Sequence, residues 1–273
     1  ARYAARYAKW GFRVAHSTNR LMREMVASGE VDALVPERVW QELERALGEA
    51  TPSRFFEVLR GCGALERVFP ELERLFGVPQ PRHHHPEEDT GVHTLLVLDQ
   101  AARLTPDTRV RFAALVHDLG KGTTPEAEWP THHAHEERGV ALVEGLCERL
   151  RCPREYRDLA KVVARLHGLY HRADELRPET LLKTLEQLDA FRRPERLEQY
   201  LLAAEADSRG RPGHEGGEEE LPNTRRFRTA FHAAHGVTAR EVVADGLEGP
   251  AVGAELHRRR VRAIAGALEA AAE

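Results

Sequence analysis

Apolar residues recur at three- and four-residue spacing along almost the whole chain, which is the period of a helix. Tyr3, Tyr7, Trp10 and Val14 fall on one side of a predicted first helix over 2–12. Arg2, Arg6, Lys9 and Arg13 fall on the adjoining side. Further helices are predicted over 17–27, with Ser17 as its cap, over 37–47 after Pro36, and over 53–60 after Pro52. Pro79, Pro81 and Pro86 interrupt the pattern over 78–91, so a domain boundary is expected there. Longer helices follow over 92–104, 109–119, 135–150, 154–170, 179–189 and 195–208. Gly120 and Gly122 are expected to close the second of these as C-terminal glycines. Residues 210–222, rich in Gly and Glu, are expected to form a flexible surface loop. Helices over 223–235, 238–244 and 251–272 complete the chain. The predicted class is all-α, with no internal repeat.

Composition agrees. The chain has 273 residues, 41% hydrophobic and 31% charged, enough for a real core beneath solvated helix faces. Its formal net charge of -4 removes any global basic signal for nucleic acid and leaves a local one open. Cys62, Cys147 and Cys152 form no C-x-x-C pair, and their odd number reads as reduced thiols of a cytoplasmic protein. Cys147 falls on an apolar helix face and reads as core. No apolar run approaches membrane-spanning length, and no signal peptide appears. The chain opens at Ala1 in mid-pattern without a capping residue, so an N-terminal part is expected to be absent.

Polar residues on apolar faces carry the chemical information. His93 is in register with Leu96 and Val97. The nearly all-apolar stretch Val110–Val116 ends in His117-Asp118. His167 lies four residues after Val163, and Asp207 three after Ala204, both facing inward. One inward His is more often a hydrogen-bonded core residue, and a lone His-Asp pair is weak evidence. An ionised Asp in a core is costly unless it is paired or bound to metal. Several imidazoles and two carboxylates facing inward together point to one divalent cation. Such an ion lowers the pKa of bound water and polarises a phosphoryl oxygen. Lys121 and Arg209 are placed to hold phosphate oxygens. His132 and His133 are expected near the site as hydrogen-bonding partners of a substrate. His83-His84-His85 reads as loop.

The strings Gly91-Val92-His93-Thr94, Val116-His117-Asp118-Leu119-Gly120-Lys121-Gly122, His133-Ala134-His135-Glu136 and Glu205-Ala206-Asp207-Ser208-Arg209-Gly210-Arg211 resemble the HD domain of bacterial multifunctional CCA proteins. These are tRNA nucleotidyltransferases with an appended HD phosphohydrolase domain. Residues 1–12, Glu37-Arg38-Val39-Trp40-Gln41-Glu42, and the stretch from Gly63-Ala64-Leu65 to Phe69-Pro70-Glu71-Leu72 resemble their neck and body. The resemblance implies an HD helical bundle between an N-terminal neck/body and a C-terminal helical tail, divided as 1–80, 81–212 and 213–273. It implies His93, His117, Asp118 and Asp207 as metal ligands, and His135 and His167 as ligands of a second ion in some relatives. Asp118, Lys121 and Arg209 become the catalytic set. The implied ion is nickel, magnesium or manganese, and the implied activities are 2',3'-cyclic phosphodiesterase, 2'-nucleotidase and phosphatase. Arg2 matches an arginine that helps bind ATP or CTP. The family's polymerase head, with its Gly-Ser motif and Asp-x-Asp pair, has no counterpart in this sequence. ATP or CTP is therefore expected as a ligand only together with such a head.

Surface arginines on a helix are usually solvated and inert. Three basic stretches nevertheless stand out: the stripe Arg6, Lys9 and Arg13, the run Arg149 to Arg165, and Arg258 to Arg262. With the resemblance, tRNA is the expected macromolecular partner, nucleotide phosphoesters are the expected substrates, and no membrane is involved. Homodimerisation is left open. The competing reading is a non-catalytic tRNA-binding module serving a separate nucleotidyltransferase head.

Overall fold

The computed structural model describes residues 1–81, 89–214, 217 and 219–271. Among them there is no strand beyond one antiparallel bridge pairing Pro79 with Asp89. The helices are α1 (Arg2–Arg6), α2 (His16–Ala27), α3 (Pro36–Leu47), α4 (Ser53–Gly61), α5 (Ala64–Val68), α6 (Pro70–Glu73), α7 (Thr90–Leu104) and α8 (Thr108–Val116). They continue with α9 (His135–Leu150), α10 (Arg154–His171), α11 (Pro178–Gln187), α12 (Pro194–Arg209), α13 (Pro222–His235), α14 (Ala239–Ala244) and α15 (Pro250–Ala270). The protein is all-α, as its hydrophobic period requires.

Two compact units are present. One comprises Ala1–His167 with Leu202–Gly217, the other Gly168–Leu201 with Glu218–Glu273. In the first, α8 is the central helix: every residue from Val110 to Val116 is buried, Arg111 included. It packs on α3 and α7. Trp40, Phe112 and Tyr156 meet edge to face there, with Trp40 4.8 Å from the Tyr156 ring centre. Arg111 closes two helix ends at once. Its guanidinium donates to the carbonyls of Leu47 and Glu49 at the end of α3, and of Ala102 and Thr105 at the end of α7. Those carbonyls have no partner within their own helices. The second unit packs α13 and α11 on α15. Tyr170, Tyr200 and Phe227 are fully buried in it, with the Tyr170 hydroxyl 2.8 Å from Thr224 Oγ1. No helix of the described residues is long and apolar enough to cross a membrane.

Three expectations are corrected. The first helix stops at Arg6. A 3-10 turn over Ala8–Trp10 and a left-handed Gly11 follow, so Arg13 leaves the helix and the four-residue basic stripe does not form. Ser17 does not cap α2, whose N-cap is Ala15. The α8 helix ends at Val116, and Gly120 and Gly122 sit in a 3-10 turn over Leu119–Thr123 without a left-handed φ. Gly120 is needed for close approach instead: a Cβ there would collide with the His135 carbonyl and the Gly139 amide. His83-His84-His85 lies outside the described residues.

Candidate metal centre

Five segments of the first unit deliver the site, the fifth being the end of α12. Asp89 caps α7 by accepting from Val92 N at 2.9 Å, which fixes the turn carrying His93. His117 and Asp118 follow the last turn of the buried α8. His135 opens α9, aimed by left-handed backbone at His132 and Ala134. His167 comes from α10 and Asp207 from α12.

Their side chains converge. His93, His117 and Asp118 present ligand atoms within 4.8 Å of one another, and so do Asp118, His135 and His167. Asp118 is common to both groups. Asp207 joins the first: its Oδ1 is 2.8 Å from His93 Nε2 and its Oδ2 3.7 Å from His117 Nε2. His135 Nε2 and His167 Nε2 each lie 3.4 Å from Asp118 Oδ1.

The imidazole tautomers are set from behind. Nδ1–H donates to a backbone carbonyl in three rings: His117 to Ala114 at 2.7 Å, His135 to His132 at 2.9 Å, His167 to Ala164 at 3.0 Å. Each Nε2 lone pair is thereby turned toward Asp118, the arrangement that metal-binding histidines require. The fit to a cation is tested by the atoms left over. His117 Nε2 and Asp118 Oδ1 are buried and have no hydrogen-bond partner. Burying such atoms unsatisfied is costly, and a divalent ion bound by nitrogen and oxygen removes that cost. The donor set fits.

The electrostatics point the same way. Burial pushes the His117 imidazole down, but the Asp118 and Asp207 carboxylates outweigh it and raise its pKa to about 9. Burial pushes Asp118 up, yet Lys121 and His117 hold it well below the usual carboxylate range. His167 is lowered by burial, against the pull of Asp118. A centre with this much negative character attracts protons until a cation replaces them.

The remaining expected residues are placed as follows. Lys121 Nζ donates to Asp118 Oδ2 at 2.7 Å, at the edge of the centre. Arg209 is buried, with Nε 2.8 Å from Glu205 Oε1 and one terminal nitrogen 2.8 Å from the Gly217 carbonyl. His132 is not available to a substrate: its ring is buried between Thr124 Oγ1 at 3.0 Å and the Pro79 carbonyl at 2.7 Å. His133 is exposed. Arg2 lies against Glu42 at 3.0 Å, and Arg6 against Glu49 at 3.1 Å. Lys9 stands over the Trp10 ring at 4.2 Å, and Arg13 is exposed. Of the later basic stretches, Arg149, Arg151, Arg154, Arg157 and Lys161 face carboxylates, as do Arg258, Arg259 and Arg262. Gln80, which the sequence pattern places only in a linker, accepts from Lys121 at 2.7 Å. The prolines on either side of it mask that role.

Residues 90–207 match the family described as HD domain, and residues 11–76 the family described as "Probable RNA and SrmB- binding site of polymerase A". Among known proteins, the chain is 63% identical over 264 residues to a multifunctional CCA protein of Thioalkalivibrio sulfidiphilus. It is 61% identical to those of Nitrosococcus oceani and Alkalilimnicola ehrlichii, over 264 and 265 residues. Each match covers 97% of this chain and 64% of the relative's length. The convergent His and Asp side chains lie inside the stretch matched by the HD family, and the helices α2 to α6 inside the other. Over the length it spans, the chain is similar to the multifunctional CCA proteins, with an HD-domain match over residues 90–207 and the RNA-binding-site family match over residues 11–76.

Proposed function

We propose that this chain is a metal-dependent phosphohydrolase acting on nucleotide or RNA-end phosphoesters, joined to a helical body that contacts tRNA. One observation carries the catalytic part. His117 Nε2 and Asp118 Oδ1 are buried without hydrogen-bond partners, among imidazoles whose Nδ1–H groups are tied back. His93, His117, Asp118 and Asp207 would hold one divalent ion, and Asp118 with His135 and His167 has the composition for a second. When bound, such an ion supplies a hydroxide-like water near neutral pH and polarises a phosphoryl oxygen. Lys121 holds Asp118 ionised and adds a positive charge beside the phosphoryl group. Nickel, magnesium and manganese are the ions to try. The substrates proposed are 2',3'-cyclic nucleotides, 2'-nucleotides and other phosphomonoesters. The functional division at about residues 80 and 212 is proposed with them, and so is a cytoplasmic location. Arg2 is proposed to meet ATP or CTP only when a nucleotidyltransferase head accompanies the chain.

The test is a panel of 2',3'-cyclic AMP, 2'-AMP and p-nitrophenyl phosphate against several divalent ions, with elemental analysis of the purified protein. Metal-dependent turnover by the wild type, lost in Asp118→Asn, is expected. No turnover under any ion, with no metal retained, would return the chain to the tRNA-binding module reading. The RNA contact is proposed for Arg6, Lys9 and Arg13. The match over 11–76, which includes Arg13, and the exposed Tyr3, Tyr7, Trp10 and Phe12 rings beside these cations support it. The carboxylates facing most of the other basic residues argue against a broad basic surface.

A further inference from the structure

We propose that Gln80 binds the substrate, its side-chain amide donating N–H hydrogen bonds to a phosphoryl oxygen beside Lys121. This rests on the phosphohydrolase reading and adds to it a residue that fixes how the phosphate sits.

Gln80 is 3% exposed, between Pro79 and Pro81. Its Oε1 accepts a hydrogen bond from Lys121 Nζ at 2.7 Å. An ammonium only donates, so the bond to Lys121 fixes which end of the amide is oxygen and which is nitrogen. The Nε2 group, buried, is left without any hydrogen-bond partner. A buried amide donor left unmade is costly and calls for an explanation. Bonded to the same carbon as Oε1, Nε2 lies within roughly 5 Å of Lys121 Nζ. Lys121 Nζ in turn is 2.7 Å from Asp118 Oδ2. An unmade donor therefore stands next to a cation at the edge of the metal centre.

The backbone that carries Gln80 is held firmly. The Pro79 carbonyl accepts from His132 Nε2 at 2.7 Å, and the Thr124 hydroxyl contacts His132 Nδ1 at 3.0 Å. Arg138 donates to the same hydroxyl at 2.9 Å. The Val78 carbonyl accepts from Thr90 N at 3.0 Å, at the start of the helix bearing His93. His132, buried and without a free ring nitrogen, thus acts as the clamp for the Gln80 segment. The ligand this geometry takes is an oxygen acceptor that is anionic, to suit Lys121, and carries more than one free oxygen, to reach Gln80 as well. A phosphoryl group meets both conditions. A site holding a buried donor that only the right ligand satisfies also rejects ligands lacking the acceptor.

The experiment measures binding of inorganic phosphate to the metal-loaded full chain by calorimetry, with KM and kcat for p-nitrophenyl phosphate alongside. Gln80→Glu keeps the acceptor for Lys121 and removes the donors; Gln80→Ala removes both without adding charge. Both should weaken phosphate binding by about tenfold or more, the loss of a charge-assisted hydrogen bond, with the larger share of the kinetic loss in KM. Metal titration of each variant should match the wild type. Phosphate affinity unchanged in Gln80→Ala would overturn the assignment, whatever Gln80→Glu does. Wild type that binds phosphate through Gln80 yet hydrolyses no phosphoester would sink the phosphohydrolase reading and leave Gln80 as an anion-binding residue. Turnover with Gln80-insensitive phosphate binding would do the reverse.

Discussion

At the scale of single residues, Asp118 matters most, because its Oδ1 faces His135 and His167 while its Oδ2 faces Lys121 and His117. Asp118→Asn keeps the volume and removes the charge that balances Lys121 and His117. Metal-dependent hydrolysis is expected to fall by at least about a hundredfold, since loss of a mere outer-shell partner of a metal ligand already costs about 10- to 100-fold. The helical circular dichroism should be retained, and full activity would remove Asp118 from the centre. Asp99 gives the stability a pH dependence. It accepts from Ser53 Oγ at 2.6 Å and Ser53 N at 3.1 Å, and burial raises its pKa above the usual 3.8 despite those bonds. With the folded pKa the higher one, the folded state holds the proton more tightly. Asp99 then costs stability increasingly as pH rises from 3.8 through the raised value, and costs nothing at lower pH. Asp99→Asn has no such step. The stability difference, variant minus wild type, should grow with pH across that window in urea titrations. A pH-independent difference would contradict the raised pKa.

At the scale of elements, the site depends on a helix and a turn meeting where no side chain fits. Gly120→Ala would press a methyl group into the His135 carbonyl and push α9 away from the turn after Asp118. The expected cost is about 1 to 3 kcal/mol, together with weaker metal binding, since His135 opens α9. Denaturant midpoints and metal titration check both. Arg111 plays the same part for α8, joining the ends of α3 and α7 through four carbonyls. Arg111→Met fills the space and leaves those carbonyls unmatched, for a loss on the order of 3 kcal/mol by chemical denaturation. A neutral result would mean that water reaches them. The helices themselves are legible in the periodicity: the 135–150 span coincides with α9, and most others end within one or two residues of expectation. The first helix is the largest exception, because Tyr3, Tyr7, Trp10 and Val14 continue the period through Gly11. That glycine adopts a left-handed backbone, which periodicity does not register.

At the scale of the whole molecule, the chain has no Asp-x-Asp pair to hold the magnesium of a nucleotidyltransferase. Labelled CTP should not be transferred to tRNA by this polypeptide alone, and incorporation by the pure protein would refute that. The proposed RNA contact should depend on salt. Replacing Lys9 and Arg13 by Ala should flatten the log–log salt dependence of tRNA binding by roughly 0.7 to 0.9 for each phosphate no longer neutralised. The change should be alike for different tRNAs, because interactions with the phosphate backbone hold little sequence information. Arg6→Ala should contribute less, because Glu49 already neutralises Arg6.

The helical class, most helix spans and the inward His and Asp residues were legible in the chain's local pattern. Each follows from local period and from the cost of burying charge, and both are written in neighbouring residues. Tertiary structure alone decided the rest. It turned three imidazole Nε2 atoms toward one carboxylate, because the carbonyls that orient them depend on the backbone path. It drew most of the basic residues onto carboxylates, because ion pairs such as Arg149 with Glu71 join positions 78 residues apart. It brought Gln80 to Lys121 and buried its unmatched amide, across 41 residues of chain, where no local pattern reaches.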